Sequence, residues 1–185
     1  MLAADEELAN KIMEIAKRRG QTVFQTVNDI LEQAINADAM GLVLSEIMKD
    51  REILERAKRT GFTFTIEKLL YDLVDVAFEK AKDEISRLWL ETGRWYGRYF
   101  FKRSNEGINE FREAMSLLTF GSSDLKVDTN KEGELLVACV GEKFTQGFTD
   151  ALSLLIEGVF DAFGFDLKGK ESSKGVIRLK FVKSR

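Results

Sequence analysis

The side chains that most often perform chemistry in proteins are scarce in this sequence. It has no histidine and a single cysteine, Cys139, which lies in the apolar run LLVACVG. Without histidine there is neither a serine–histidine nor a cysteine–histidine catalytic pair, and no histidine metal ligand. The acidic residues are spread along helix surfaces, so no two carboxylates share an apolar face that would raise a pKa. We therefore predict that the protein is not an enzyme and has no catalytic residues, metal site or cofactor. Cys139 is interpreted as a small buried hydrophobic residue.

Basic residues do cluster, in the heptapeptide AKRRGQT at residues 16–22. Lys17, Arg18 and Arg19 end a predicted helix and Gly20 terminates it. Thr22 then begins the next helix with Gln25 three positions later, which is a capping-box pattern. Because a helix start presents free N–H groups to anions, the three cations and Thr22 form a candidate phosphate contact. The alternative is an ordinary helix end, where cations offset the negative pole of the helix dipole.

A second copy of this pattern, AKRTGFT, occupies residues 57–63. The two copies indicate either a duplicated helix–glycine–helix hairpin or two helix ends that are alike for the same local reason. The second copy leads into FTFT, whose phenylalanines fit a core better than a phosphate. Only the first copy is therefore predicted to contact nucleic acid.

A third candidate segment, ISRLWLETGRWYGRYFFKR, covers residues 85–103. When the chain is divided into residues 1–84, 85–120 and 121–185, only the middle part has a positive net charge, with six basic and four acidic side chains. Arg94 and Arg98 beside Trp95 and Tyr99 would suit nucleic acid, which is bound by charge and by base stacking. Two alternatives remain: Trp95 and Tyr99 line a ligand pocket, or the segment is a core helix with a solvated basic face.

Hydrophobic periodicity predicts an α+β fold. The helical N-terminal half, residues 1–84, consists of helix–turn–helix hairpins, and residues 85–185 form a small α+β domain to which the segment 85–103 is a bridge. In that domain a helix packs on a three-stranded sheet. Residues 168–175 are predicted to be a loop. If the second and last strands pair in parallel, their crossover should be right-handed. The predicted helices are 6–19, 23–37, 42–59, 65–83, 85–103, 106–118 and 144–163, the predicted strands are near 125–127, 135–140 and 177–183, and a hairpin turn is predicted at 130–133.

Composition favours the cytoplasm. The net charge is −3, no apolar run reaches the length of a membrane span, and the acidic start MLAADEEL lacks the features of a signal peptide. A single cysteine allows no internal disulfide, which suits a reducing compartment.

The stretch DEELANKIMEIAKRRGQTVFQTVNDILEQAI resembles the ribbon-helix-helix DNA-binding superfamily. The likeness lies in the acidic helix start, in EIAKRRGQT across the turn, and in the apolar positions of the following helix, which are Val27, Ile30, Leu31 and Ala34. The resemblance implies a homodimer, a short N-terminal strand that enters the DNA major groove, and a phosphate held at the start of the second helix, here Thr22. Residues 1–4, which precede the acidic helix start, carry no basic or base-reading polar side chain. The expectation is therefore phosphate contact and not base reading.

The C-terminal part, with GEKFTQGF, a glycine-containing helix and a terminal strand, resembles small ligand-binding α+β domains such as 4-vinyl reductase domains. Together these features predict a cytoplasmic DNA-binding transcriptional regulator, a homodimer whose C-terminal domain dimerises or senses a small-molecule effector. The alternative is a non-catalytic ligand-binding or protein–protein interaction scaffold.

Overall fold

The computed structural model describes residues 5–101, 107–119, 122–129 and 134–184. The predicted turn at 130–133 and the strand that the family resemblance implies at 1–4 lie outside these ranges. The chain divides into two compact units, residues 1–52 and 53–185, and the division falls within the third helix. The helices are α1 (Glu6–Arg19), α2 (Val23–Ala39), α3 (Leu44–Arg59), α4 (Glu67–Tyr96), α5 (Gly107–Leu118) and α6 (Gln146–Ala162), and the strands are β1 (Asp124–Thr129), β2 (Leu135–Val140), β3 (Phe165–Ser173) and β4 (Val176–Lys183).

In the first unit, α1 and α2 form the helical hairpin that the sequence predicts. Gly20 ends α1 with φ 67°, a left-handed conformation that glycine adopts at no steric cost. Thr22 Oγ1 accepts a hydrogen bond from Gln25 N (3.2 Å), and Gln25 Oε1 accepts one from Thr22 N (3.0 Å). The predicted capping box is thus present.

The α1–α2 hairpin buries few of its own side chains. The buried residues of these two helices are Ala16, Thr26 and Ala37, all of them small. Most of its large apolar side chains instead face solvent, whereas Ile12, Ile15 and Val27 are half-buried. The large apolar side chains that follow, up to residue 48, are exposed as well. The exposed large apolar residues of the first unit are Leu8, Met13, Val23, Phe24, Ile30, Leu31, Ile35, Met40, Leu42, Val43, Leu44, Ile47 and Met48.

In the second unit, the long helix α4 bends where the sequence predicts a break between two helices. Ala81 has non-helical dihedral angles (φ −149°, ψ 51°) inside α4. A π-helical turn, Gly97–Phe101, then follows α4 directly. The predicted helix 85–103 is therefore the second half of α4 plus this turn, and its last two residues lie outside the described ranges.

The sheet has four strands and not the predicted three. Its order is β1-β2-β4-β3, and every neighbouring pair is antiparallel. The prediction of a loop at 168–175 is wrong, because most of that stretch belongs to β3 and only the turn around Gly175 joins it to β4. The sequence did not reveal β3 for two reasons. An edge strand needs few apolar residues, and β3 is polar. A register shift between Leu167 and Gly169 also interrupts the alternation of its side chains. The β2–β4 pairing is antiparallel, so the parallel crossover considered above does not arise.

Helix α6 forms the centre of the second unit, because it contacts both α4 and strands β3 and β4. The prediction of an α+β fold with a helix packed on a sheet is confirmed. Phe160 of α6 stacks on Phe181 of β4 with ring centroids 4.9 Å apart. Cys139 of β2 is fully buried in the same core, as the sequence predicts.

Candidate functional site

The basic end of α1 leads directly into the start of α2. Lys17, Arg18 and Arg19 have exposed side chains in the last turn of α1. The Thr22 hydroxyl already caps the amide of Gln25. A phosphate at this helix start would therefore have to use the first-turn amides of α2 and not the threonine hydroxyl.

The structure places the second set of predicted residues on the surface of the second unit. Trp95 and Tyr99 are exposed, and their ring centroids are 5.2 Å apart. Arg98 is exposed as well, whereas Arg94 Nε donates to Asp161 Oδ2 at 2.5 Å. The chain therefore brings the two aromatic rings together, but part of the Arg94 charge is offset by its ion pair.

A pocket of about 530 Å³ opens elsewhere in the second unit, and neither Trp95 nor Tyr99 lines it. We call it the α4–α6 pocket, because residues near the starts of both helices contribute to its wall. The segment before α4, the end of α5 with residues that follow it, and the loop before α6 complete it. Its lining residues are Thr63, Phe64, Thr65, Glu67, Leu70, Tyr71, Leu118, Thr119, Ser122, Lys143, Phe144, Phe148 and Leu152.

Three aromatic rings in mutual contact form one wall of the α4–α6 pocket. The Tyr71 ring centroid lies 4.3 Å from that of Phe148 and 5.7 Å from that of Phe144. Phe144 and Phe148 are 5.0 Å apart in a T-shaped arrangement. Because Tyr71 and Phe144 also belong to the buried core, this wall is held in place by the fold itself.

A carboxylate and two hydrogen-bond donors lie together at the edge of the aromatic wall. Tyr71 Oη donates to Glu67 Oε1 (3.0 Å), and Lys143 Nζ donates to Glu67 Oε2 (3.3 Å). Burial, and then the hydrogen bond to Glu67, raise the pKa of Tyr71 to about 12. The phenol therefore remains protonated at neutral pH and keeps donating to the carboxylate.

Asp75 of α4 fixes the segment that carries Lys143, Phe144 and Phe148. Asp75 Oδ1 accepts hydrogen bonds from Thr145 Oγ1 (2.8 Å) and from Gly147 N (2.9 Å) at the start of α6. A Cβ atom at Gly147 would lie 2.4 Å from Asp75 Oδ1, so only glycine allows this approach. The carboxylate is favoured there because it satisfies the free amide of Gly147 at the positive end of the helix.

Sequence reasoning did not find the α4–α6 pocket. The apolar positions Phe144 and Phe148 were recognisable as the inner face of a helix, but nothing in their spacing distinguishes a pocket wall from a filled core. Glu67 and Lys143 are far apart in sequence, and only the packing of α4 against α6 brings them together.

The comparisons with known proteins returned no match: no family model, no curated protein and no solved structure matches this chain significantly. Within the described ranges no helix is both long and apolar enough to cross a membrane. The same ranges contain no group of three or more acidic, cysteine or histidine side chains placed to hold a metal ion.

Proposed function

We propose that the protein is a cytoplasmic, homodimeric DNA-binding regulator whose second unit senses a small molecule. The observation that carries this proposal is the exposed cluster Lys17, Arg18 and Arg19, which leads within three residues into the capped start of α2. Cations beside free helix-start amides are the combination that binds phosphate. A chain of net charge −3 would bind through such a local patch and not over its whole surface.

The exposed apolar side chains of the first unit support dimerisation through the α1–α2 hairpin. A two-helix hairpin that buries only small residues has little hydrophobic free energy to offset the conformational entropy of folding. A second copy of the hairpin would cover the apolar stripe that contains Leu31 and Ile35. An interface between identical surfaces is also the commonest kind in soluble oligomers.

The test of nucleic-acid binding is fluorescence anisotropy with a labelled duplex at several salt concentrations. We compare Arg18→Ala/Arg19→Ala with Lys58→Ala/Arg59→Ala, which removes the same charge from the exposed helix end of the second heptapeptide. If both arginines contact phosphates, the first double variant should reduce the slope of log K against log salt by about two. The matched control should bind like the wild type. Absence of wild-type binding at low salt, or equal losses in the two variants, would refute the proposed contact.

The segment with Arg94 and Arg98 is a third arm of the same experiment. Arg94→Ala/Arg98→Ala should flatten the salt slope only if this surface also binds phosphate. Because Arg94 is already paired with Asp161, we expect a smaller change than for the pair at residues 18 and 19. An unchanged salt slope would show that the surface with Arg94 and Arg98 is a solvated face that does not bind phosphate.

Sedimentation equilibrium tests the dimer. We expect a wild-type dimer that Ile35→Glu dissociates, because the substitution puts a charge into the proposed interface. Leu73→Glu is the matched control, since Leu73 is also a large apolar side chain of similar exposure (59% against 67% for Ile35) but belongs to the second unit. A wild-type monomer, or dissociation by Leu73→Glu alone, would contradict an interface built from the hairpin.

A second candidate function is a ligand-binding protein that does not bind nucleic acid. The α4–α6 pocket favours it, because a preformed cavity of this size with an apolar wall and a few converging polar groups is typical of small-molecule sites. Ligand binding with no interaction at all with DNA would support this alternative.

A further inference from the structure

We propose that the α4–α6 pocket binds a small organic cation, an amine attached to an apolar body. This inference rests on the small-molecule sensing in the proposed function and names the class of ligand. It does not depend on DNA binding, so the failure of one leaves the other standing. The pocket volume of about 530 Å³ falls within the usual range for small-molecule sites. The wall formed by Tyr71, Phe144 and Phe148 would hold the apolar body.

The sign of the ligand charge follows from the unequal exposure of the two charged groups. The Glu67 side chain is 35% exposed, whereas that of Lys143 is 76% exposed. An ion pair with so exposed a lysine contributes little, and water readily replaces it. The more permanent charge of the pocket is therefore the carboxylate.

The two oxygens of Glu67 have different partners. Oε1 accepts the hydrogen bond of the Tyr71 phenol, which stays protonated, while Oε2 accepts from Lys143. A ligand ammonium would displace Lys143 at Oε2 and leave the Tyr71 hydrogen bond intact. Its charge would also be attracted by the neighbouring aromatic rings, an interaction that a ligand carboxylate would not gain.

The test uses the full-length protein and three probes of similar shape: 2-phenylethylamine, 3-phenylpropionate and 2-phenylethanol. Isothermal titration calorimetry at neutral pH measures the affinity of each. We expect the amine to bind most tightly and Glu67→Gln to weaken it roughly ten-fold or more, the usual loss for a charge-assisted hydrogen bond. Glutamine keeps the shape of the side chain and an acceptor for Tyr71.

Two further variants control for indirect effects. Glu157→Gln removes another partly buried carboxylate, which pairs with Lys170 at 3.1 Å and does not line the pocket. It should leave amine binding unchanged, and Lys143→Met should leave it unchanged or tighten it, because the competing cation is gone. Circular dichroism verifies that each variant is folded.

Four results would overturn the proposal. They are tighter binding of the carboxylate than of the amine, equal binding of the alcohol and the amine, no saturable binding of any probe at millimolar concentration, and an amine affinity that Glu67→Gln does not change. The first would identify Lys143 as the charged group that selects the ligand. The second would identify the pocket as purely apolar.

Discussion

The packing of α4 against α6 includes close backbone contacts at glycines, and substitution of one of them provides a sharp test of the fold. A Cβ atom at Gly158 of α6 would lie 2.2 Å from the carbonyl oxygen of Leu90 and 2.8 Å from the amide nitrogen of Arg94. A Cβ atom at Gly93 of α4 would lie 2.1 Å from the carbonyl oxygen of Leu155. The helix backbones are thus in direct contact, and Gly97 continues the same approach one turn later.

The cost of Gly158→Ala can be worked out from these distances. An ordinary Cβ contact begins near 3.4 Å, so the two helices would have to separate by about 1 Å. Overpacking of a core costs up to about 3 kcal/mol, and a backbone atom cannot move aside as a side chain can. Alanine regains about 1 kcal/mol through its higher helix propensity. We therefore expect Gly158→Ala to lower the free energy of unfolding by about 2 kcal/mol.

Urea denaturation followed by circular dichroism and tryptophan fluorescence measures this loss. Gly169→Ala is the matched control, because a Cβ atom there would meet Lys180 Cβ at 3.6 Å, an ordinary contact. The control should change stability by no more than about 0.5 kcal/mol. If Gly158→Ala is as stable as the wild type, or more stable, the close approach of the two helices is wrong.

Two further predictions concern buried polar groups of the second unit. Glu110→Ala should lower the free energy of unfolding by about 3 kcal/mol. Arg56 pairs with Glu110 at 2.6 Å and its side chain is only 17% exposed, so without Glu110 it would keep a poorly solvated charge. In urea denaturation, the double variant Arg56→Met/Glu110→Leu should recover most of the lost unfolding free energy. If Glu110→Ala alone lowers it by less than about 0.5 kcal/mol, the pair behaves like a surface ion pair. Burial raises the pKa of Cys139 to about 11, so at pH 8 a thiol reagent should label the native protein at least about a hundred-fold more slowly than the urea-unfolded chain. Because the pKa of Cys139 is higher in the folded than in the unfolded protein, deprotonation of the thiol favours unfolding. The contribution of the protonated thiol to the free energy of unfolding is therefore complete below pH 9 and is lost as the pH rises from 9 to 11. Equal labelling rates, or an alkaline stability profile that Cys139→Ala leaves unchanged, would contradict this account.

Local signals explain why much of the first unit was predictable. The stop at Gly20 and the capping box of Thr22 and Gln25 involve neighbours within five residues, so the bounds of α1 and α2 follow from short-range chemistry. The break between two predicted helices near residue 84 corresponds to the bend at Ala81.

Long-range packing explains what could not be predicted. Strand β3 pairs through its backbone with β4, and its run of lysine, glutamate and serine lacks the apolar alternation that indicates a strand. The aromatic wall of the α4–α6 pocket was concealed for a related reason. An apolar stripe on a helix indicates burial, but only the assembled fold shows where the neighbouring elements leave a cavity.

In the first unit, too, an apolar stripe on a helix does not by itself show what covers it. There the answer determines how stability depends on protein concentration. The helical spacing of Ile30, Leu31 and Ile35 is typical of the inner side of a helix, but these residues are exposed in the single chain. The second unit has a large core of its own, with fully buried phenylalanines from α5, α6 and β4. Its stability should therefore be independent of protein concentration, while the order of the α1–α2 hairpin should increase with concentration if a second copy covers the stripe. Regulation by association would then act on the hairpin, the element whose own burial contributes least to its folding.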